Sequence, residues 1–521
     1  MVPGLRDHLA VRTEEREGDL NASLGACRVA ESRIRKLIER YGAETVRGAV
    51  ATNLDRTEQR LREKIAELPD GDYYYEDYLE FYNEGRLDPV LARIKLTVAG
   101  DQIVADFAGT NPQVPGVVNS SLAVAGAGVF VAIKSTLDPG GAVNQGAFRP
   151  ITLKAPDACI FNVALDAPAG AHGEVRKRGV SVALGALAQI IPERISGDLC
   201  GSSFPNAIGG YNKRRQRQYV YYESPAGGNG GFLEADGPSA YVNVDFGNLP
   251  SIHNVESLES EMPIMVERCE LRIDGGGEGA SRGGVGMQRE VRLDDDEGSY
   301  SVLSDRAVIP PWGVLGAGAG KPYHVSVRRD GGVIEFDTPG KVTGYPIRRG
   351  DVVVMRSSGG GGYGDPLTRG TERVQADVER GYVSRERARD GYGVVFAADG
   401  AVDPAATQAL RRKISAARFK LKLVADDAHD PYIGLKGRRR MLDLAPADAA
   451  RFGVGDDHLV ELRGRHPAPL RAWVRISPDV PAGSVRMDEF GRKVLGLEHG
   501  DEATIATMTM PTLPKGMAKK S

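Results

Sequence analysis

The sequence is poor in the residues that stabilise small secreted domains or hold structural metals. Only four cysteines and eight histidines occur among 521 residues, and no Cys-x-x-Cys pair is present. This scarcity argues against a disulfide framework or a structural zinc site. The opening residues contain no apolar signal segment, and the longest apolar run, around 122–133, is too short to span a bilayer. We therefore expect a cytoplasmic protein with no membrane partner.

An excess of charge of one sign is also lacking. The chain carries 67 basic and 70 acidic side chains, which gives a net charge of −3. It thus lacks the basic character that is typical of nucleic-acid-binding proteins, and no nucleic-acid partner is expected. A chain of 521 residues is too long for one hydrophobic core, so we expect two or three domains.

Glycine, in contrast, is abundant. The 66 glycines are about one residue in eight, where ~7% is usual, and many cluster between short strand-like runs from 219 to 365. This pattern predicts a large β-rich body rather than a doubly wound α/β sheet. Two helices are predicted over 14–68 with Gly42 between them, and a hairpin over 92–107. The expected fold class is α+β, a β-rich body with peripheral helices and a small C-terminal β barrel.

The barrel is predicted from an internal repeat. The run Phe452-Gly-Val-Gly-Asp-Asp-His-Leu-Val-Glu-Leu is matched by Leu495-Gly-Leu-Glu-His-Gly-Asp-Glu-Ala-Thr-Ile. Each copy places a helix-like segment, a glycine, an acidic turn and a strand in the same order, and this duplication resembles the double-psi β barrels. We predict a body over 1–396, a linker over 397–436, the barrel over 437–510 and a flexible tail over 511–521.

The common catalytic motifs are absent from the sequence. There is no GxxxxGK[ST] phosphate loop, no HExxH and no GxSxG, so ATP binding by this chain is not expected. Two glycine runs, Arg282–Gly286 and Gly359–Gly362, could cradle an anion with their backbone N–H groups. Tight turns between strands are the favoured interpretation of both runs, because glycine is the usual turn residue.

Candidate chemical groups are few. His172 and Glu174 lie two residues apart on a glycine-flanked loop before a helix. A histidine there can act as a general acid or base near neutral pH, and the structural alternative is an exposed loop histidine. Arg149 and the Asp305-Arg306 pair are candidate anion-binding groups, because a guanidinium suits a carboxylate or phosphate. Asp305 and Arg306 fit a structural ion pair beneath the following Pro-Pro-Trp turn equally well.

Several longer motifs follow one another along the chain. They are VRTEEREGDL at 11–20, VVNSSLAV at 117–124, NQGAFRP at 144–150, LGALAQIIPE at 184–193, GGNGG at 227–231, RGGVG at 282–286, SDRA at 304–307, PPWG at 310–313 and SSGGGGYGDP at 357–366. In this order they resemble the hydantoinase B/5-oxoprolinase family, which includes the large subunits of acetone and acetophenone carboxylases. The resemblance covers about residues 11–396.

The resemblance implies ATP-dependent chemistry that is shared between chains. A hydantoinase-A-like partner phosphorylates the amide or enolate oxygen of a small-molecule substrate, and the B-type chain receives the activated molecule. The Asp/His-rich N-terminal patterns that supply the family's metal site are not found in this sequence. The resemblance therefore implies no cofactor on this chain, ATP and a divalent metal on partner chains, and an N-terminal hydantoinase-B-like fragment as a further partner.

The resemblance also suggests roles for the candidate residues. His172, Glu174 and Asp305 are the catalytic candidates, Arg149, Arg282 and Arg306 the substrate-binding ones, and no metal ligand is assigned. The implied function is that of a subunit of an ATP-dependent cyclic-amide hydrolase. A subunit of an ATP-dependent ketone carboxylase and a non-catalytic scaffold of such a complex are the alternatives.

Overall fold

The computed structural model describes residues 13–241, 252–428, 430–434 and 437–508. The tail predicted over 511–521 lies outside these residues. The chain divides into two units, one made of residues 1–64 with 140–150 and a larger one made of 65–139 with 151–521. No helix in the described part of the chain is both long and apolar enough to cross a bilayer.

The smaller unit is built on the predicted pair of helices, α1 (Thr13–Tyr41) and α2 (Ala43–Ile65). Gly42 separates them with a φ of 83°, a left-handed conformation that favours glycine and ends a helix. The segment 140–150 packs on α2 through a short 3₁₀ turn at Gln145–Phe148. There the amide of Asn144 donates to Thr57 Oγ1 at 2.9 Å.

The larger unit begins with a four-stranded sheet and two helices. Its strands are β1 (Gly71–Leu79), β4 (Val90–Ala99), β5 (Gln102–Asp106) and β6 (Ile151–Lys154) in spatial order, and the ribbon β2 (Tyr82–Asn83) and β3 (Arg86–Leu87) connects β1 to β4. Strands β4 and β5 form the predicted hairpin. Helices α3 (Leu122–Leu137) and α4 (His172–Leu187) pack closely, since a Cβ on Gly128 would lie 2.3 Å from the carbonyl oxygen of Arg176.

Two further antiparallel sheets form the centre of this unit. One has the order β14 (Lys341–Arg348), β11 (Glu297–Leu303), β7 (Asn206–Asn212), β8 (Arg217–Glu223). The other has the order β13 (Gly332–Glu335), β12 (His324–Arg329), β15 (Val352–Arg356), β10 (Met287–Leu293), β9 (Ile264–Leu271). Buried residues of both sheets, among them Tyr300, Val291 and Val353, belong to one hydrophobic cluster. Short helices also belong to this unit: α5 (Val255–Glu261), α6 (Thr371–Glu379), α7 (Arg385–Tyr392) and α8 (Pro404–Ala416).

Most of the glycine clusters meet in one place, in segments that are neither helix nor regular strand. We call this region the glycine bundle and define it as residues 197–198, 227–231, 275–284, 312–320 and 358–362. The segments hydrogen-bond side by side: Gly231 N donates to Gly361 O at 2.9 Å, Gly197 N to Gly231 O at 2.9 Å, and Gly360 N to Gly284 O at 3.0 Å. Their backbones are in direct contact, since a Cβ added at these glycines would overlap backbone atoms of a neighbouring segment.

The glycine bundle corrects the interpretation of the two glycine runs as tight turns or anion cradles. Residues 283–284 and 359–362 lie inside the bundle, and their neighbours are backbone atoms of other segments. A Cβ on Gly360, for example, would lie 2.1 Å from the carbonyl oxygen of Asn229. Glycine is needed there for close approach of backbones, a requirement that depends on contacts distant in sequence.

The C-terminal region forms a closed barrel of six strands, as the repeat predicts. The barrel consists of β16 (Phe419–Ala425), β18 (Arg439–Leu444), α9 (Pro446–Phe452), β19 (Leu459–Arg463), β20 (Leu470–Ile476), β21 (Ser484–Met487), α10 (Glu489–Leu495) and β22 (Glu502–Thr507). The parallel pair β18–β20 is matched by the parallel pair β16–β21, and the antiparallel pair β19–β20 by β16–β22. These pairings relate two halves by a pseudo-two-fold axis. Gly453 and Gly496 end the two helices with φ values of 66° and 65°. The glycine in each copy of the repeat thus terminates a helix in the left-handed conformation.

The barrel begins earlier than its predicted start at 437. Helix α8 and strand β16 both lie in the range 397–436 that was predicted as a linker, and β16 is an integral strand of the barrel. The short strand β17 (Tyr432–Ile433) pairs with β18. The barrel also contacts the body: Arg440 Nε lies 2.6 Å from Glu76 Oε1, and Tyr75 donates to the Pro469 carbonyl oxygen at 3.0 Å. Independent folding of the barrel stays a prediction.

Candidate functional site

A cavity of about 440 Å³ opens at the N-terminus of helix α4. Its wall is formed by the loop before α4, by the 200–205 loop and by the end of strand β8. The lining residues with chemical groups are His172, Glu174, Arg176, Cys200, Ser202, Ser203, Tyr222 and Ser224. The positive end of the helix dipole points into this space, which favours a ligand atom that carries or develops negative charge.

His172 stands on the first turn of α4, exposed at the cavity. Its Nδ1 lies 3.1 Å from the carbonyl oxygen of Ala169. A carbonyl oxygen only accepts, so Nδ1–H is the donor, and in the neutral form of the ring the lone pair is on Nε2. A neutral imidazole with a free Nε2 at the cavity is able to accept a proton from a bound molecule.

Glu174 lies two residues further along the same turn but is buried. Its Oε1 accepts a hydrogen bond of 3.0 Å from the amide of Ser203, and its Oε2 has no hydrogen-bond partner in the described part of the chain. The pKa of the neighbouring Tyr222 is raised by burial and then by the charge of Glu174. Glu174 thus places a carboxylate in the cavity wall and orders the 200–205 loop through Ser203.

A wider cavity of about 700 Å³ adjoins the first one. The two share Gly170, Pro205, Tyr222 and Leu303 as lining residues. Lys341 lies in the wall of the wider cavity and donates from Nζ to the Ser304 carbonyl oxygen at 2.8 Å. Together the two cavities offer room for a small substrate beside His172.

Asp305 and Arg306 lie elsewhere, in a fully buried network of ion pairs. Arg178 joins Asp77 at 2.7 Å and Asp305 at 2.6 Å, and Arg306 joins Asp77 at 2.7 Å and also Asp198. Neither Asp305 nor Arg306 lines the cavity beside His172. Of the two interpretations, the geometry favours a structural role, although Asp305 and Arg306 pair with these other residues and not with each other.

The electrostatics of this network also fit a structural role. Burial acts to raise the pKa of Asp305, but Lys341 and Arg178 more than offset it, so the pKa lies below its usual value. Burial, aided by the Asp305 carboxylate, raises the pKa of Glu80 to about 7. Glu80 accepts hydrogen bonds from the amides of Ala307, Val308 and Ile309 at 3.0, 2.7 and 2.7 Å. The network therefore fixes the backbone that precedes the Pro-Pro-Trp turn.

The two remaining arginine candidates have protein partners as well. Arg282 is buried, donates to the Gly283 carbonyl oxygen at 2.7 Å and lies 3.4 Å from Asp377. Arg149 belongs to the smaller unit, where its Nη1 lies 3.0 Å from both Asp55 and Glu58 of α2. Of the six predicted site residues, the structure brings only His172 and Glu174 together at a cavity. The substrate-binding roles of the arginines stay predictions.

Several residues of the cavity carry no signal in the sequence. Cys200, Ser202 and Tyr222 come from a loop and a strand that follow α4 at different distances along the chain, and they meet only through the fold. Within the described residues, no group of three or more His, Cys, Asp or Glu side chains could hold a metal ion. The described part of this chain therefore does not fit a metal centre built from its own side chains.

Comparison with known proteins relates this chain to a group of enzymes. The family profile described as hydantoinase B/oxoprolinase matches residues 7–366. The B subunit of a putative D-/L-hydantoinase from Pseudomonas sp. (strain NS671) is 30% identical over 406 residues, which are 76% of this chain and 67% of that protein. The beta subunit of caprolactamase from Pseudomonas jessenii is 30% identical over 407 residues, 76% of this chain and 69% of that protein. The chain thus spans about two thirds of the length of these relatives.

Solved structures agree with this relation. The ATP-dependent caprolactamase from Pseudomonas jessenii superposes with a TM-score of 0.70 at 30% identity, over 76% of this chain and 69% of that one. The nucleotide-free acetone carboxylase superposes with a TM-score of 0.71 at 19% identity, over 78% of this chain and 60% of that one. At that identity the carboxylase shows a shared fold alone.

Proposed function

The chain belongs to the hydantoinase B/oxoprolinase family, as its motifs predicted, and on this premise we propose that it is a subunit of an ATP-dependent cyclic-amide hydrolase. The observation that carries the proposal is the cavity at the N-terminus of α4 with His172 exposed in it. Relatives that are 30% identical are named as a hydantoinase subunit and a caprolactamase subunit. Both names describe ring opening at a cyclic amide.

The proposed chemistry is the addition of water to an activated cyclic amide. Amide resonance makes the carbonyl carbon a poor electrophile, and phosphorylation of its oxygen at the expense of ATP removes that resonance. Water then forms a C–O bond at this carbon and the C–N bond breaks, which leaves an acyl phosphate; a second water hydrolyses this to the carboxylate and phosphate. In sum, a cyclic amide, ATP and two waters give an amino acid, ADP and phosphate.

The residues at the cavity have distinct tasks in this scheme. His172 Nε2 takes a proton from the attacking water and delivers it to the departing ring nitrogen. The N-terminus of α4 stabilises negative charge on the substrate oxygen. Glu174 acts as a positioning residue, because its hydrogen bond to the Ser203 amide holds the loop that carries Ser202 and Ser203.

The phosphorylating step is assigned to a partner, a hydantoinase-A-like ATP-binding subunit. The sequence contains no phosphate loop, and the two relatives at 30% identity described above are themselves named as subunits. Helix α1 offers a surface for such a partner, since its apolar side chains Leu24, Ile34 and Leu37 are about half exposed, at 48%, 52% and 47%. Exposed apolar stripes of this kind mark protein interfaces.

The test is an activity assay of the chain co-purified with a hydantoinase-A-type subunit. We expect ATP-dependent ring opening of at least one of 5-oxoproline, hydantoin and caprolactam, followed by chromatography of the amino acid and by phosphate release. His172→Ala should lower kcat about 100-fold or more, as loss of a general acid–base group does. His253→Ala, at an exposed histidine outside the cavity, is the matched control.

Three outcomes would contradict the proposal. Full activity of His172→Ala would remove the histidine from the mechanism. A complex that converts none of the cyclic amides but fixes bicarbonate onto a ketone would assign the chain to the carboxylase branch, and a complex inactive on both would assign it a scaffold role.

A further inference from the structure

A third cavity, of about 580 Å³, lies where the glycine bundle meets the barrel. Its wall includes the 318–322 loop, helix α7 and strands β19 and β22. Six charged side chains line it: Arg272, Lys321, Arg387 and Arg463, with Glu278 and Glu461. The family profile ends at residue 366, so the barrel side of this cavity lies outside the matched family region.

The two carboxylates of the cavity are already paired with neighbouring arginines. Glu461 lies 2.9 Å from Arg463 and 3.3 Å from Arg471. Glu278 forms an ion pair with Arg387. Arg463 is further held by the carbonyl oxygens of Gly316 and Ala317, at 2.7 and 2.9 Å. These pairs build the wall, and their charges largely cancel, so the other two cations set the charge of the cavity.

Arg272 forms no ion pair among the described residues, and Lys321 forms only a long one. Arg272 Nη1 donates only to carbonyl oxygens, 2.6 Å from Pro322 O and 2.9 Å from Ser357 O, and no carboxylate in the described residues forms an ion pair with it. The carboxylate nearest to Lys321 Nζ is Asp274, at 3.9 Å. Burial lowers the pKa of Lys321. The charge of Asp274 opposes this effect, while Arg272 and Arg387 add to it, so the two arginines repel Lys321. An anion between them would relieve this repulsion.

We propose that this cavity binds a small dianion of the phosphate class, with Arg272 and Lys321 as the recognising groups. Two cations whose one ion pair is the long contact of Lys321 with Asp274 match the charge of a phosphate group, which is about −1.5 to −2 near neutral pH. The cavity is also large enough for an organic phosphate, because ligand sites commonly occupy about 300–1,000 Å³. The site is separate from the cavity at α4 and does not depend on the function proposed for that cavity.

The test is isothermal titration of the full chain with inorganic phosphate at low salt. We expect saturable binding that Lys321→Gln weakens about 10-fold, the usual effect of losing one charge-assisted hydrogen bond. Lys321→Arg keeps the charge and should retain binding. Arg389→Gln is the matched control, because Arg389 lies on the same helix as Arg387, but its side chain is 68% exposed and does not line the cavity.

A thermal melt of each variant checks that it is folded. Arg272→Gln should weaken binding at least as much as Lys321→Gln. If Arg272→Gln fails to fold, because three carbonyl oxygens lose their donor, the affinity of Lys321→Gln alone tests the proposal. Tighter binding of a phosphate monoester than of phosphate would identify an organic phosphate as the ligand. No saturable heat with phosphate, or equal affinity in wild type and Lys321→Gln, would overturn the proposal.

Discussion

The glycine bundle and the C-terminal barrel both bury hydrogen-bonded backbone in a tightly packed interior, but they achieve the packing in opposite ways. In the bundle, chain segments hydrogen-bond through their backbones and touch without side chains between them. In the barrel, strands also satisfy their backbone groups, but the interior is filled by large buried side chains such as Leu459, Leu470 and Val485. Backbone hydrogen bonds are made in both regions, as buried backbone requires. What differs is the source of tight packing.

This difference teaches where substitutions are tolerated. A core of side chains tolerates loss of volume at a cost that grows with the cavity left behind. A core of backbones has no atoms to lose, and it tolerates no gain of volume, because the atoms in the way are fixed by hydrogen bonds. We therefore expect the bundle to be the less tolerant region, although it contains the smallest residues.

The largest effect is expected in the bundle from Gly230→Ala. A Cβ at Gly230 would lie 1.8 Å from the carbonyl oxygen of Gly197, so two backbone segments must separate. Overpacking combined with lost hydrogen bonds should cost about 4 kcal/mol or more. Urea unfolding of the purified variant measures this cost, and insoluble expression would agree with it.

The control for this prediction is Gly455→Ala in the barrel. A Cβ at Gly455 would meet only His458 Nδ1, at the ordinary contact distance of 3.7 Å. We expect a change within about 0.5 kcal/mol. If the two glycine variants were equally stable, the bundle would not be the close-packed region that its geometry indicates.

A smaller effect is expected in the barrel from Leu470→Ala. Leu470 is fully buried in β20, and truncation of a buried leucine costs about 3 kcal/mol. In calorimetry we expect this variant to lower one transition, that of the barrel, while the body melts as in the wild type. A single transition that shifts as a whole would show instead that the buried Glu76–Arg440 pair joins barrel and body into one cooperative unit.

The smallest effect on stability is expected from Asp236 at the edge of the bundle, and this effect depends on pH. Burial acts to raise the pKa of Asp236, but hydrogen bonds and charge from Arg369 bring it down to about 2, below its usual value of 3.8. A carboxylate with a lowered pKa stabilises the fold above about pH 4, and this contribution is lost as the pH falls through 2.

Asp236→Asn should therefore cost about 2 kcal/mol at neutral pH. The difference from the wild type should shrink as the pH falls from 4 towards 2, as measured by urea unfolding at a series of pH values. The barrel offers the matched comparison in Asp488→Asn, at a partly buried partner of Arg440. A constant difference for Asp236→Asn across this pH range would contradict the assignment.

Only part of the candidate site could be predicted from the sequence. His172 and Glu174 could be singled out because they are close in sequence, on a loop that a helix follows, and the structure places both at one cavity. Asp305 and Arg306 looked equally suited to a pocket or to a structural pair. Only the partners Arg178, Asp77 and Asp198, which are distant along the chain, give them a buried structural setting.

Local signals in the sequence by themselves determined the break between α1 and α2 at Gly42, the β4–β5 hairpin and the two-fold repeat of the barrel. The break and the hairpin depend on residues within a few positions of one another, where backbone conformation and short-range hydrogen bonds decide the outcome. The repeat is recognised by comparing two such short runs, at 452 and 495. The tertiary structure alone decided that the glycine runs lie side by side, that β16 belongs to the barrel, and that Ser202 and Tyr222 join His172 at a cavity. These features arise from contacts between segments far apart in the chain, and neither composition nor residue spacing indicates which segments come into contact.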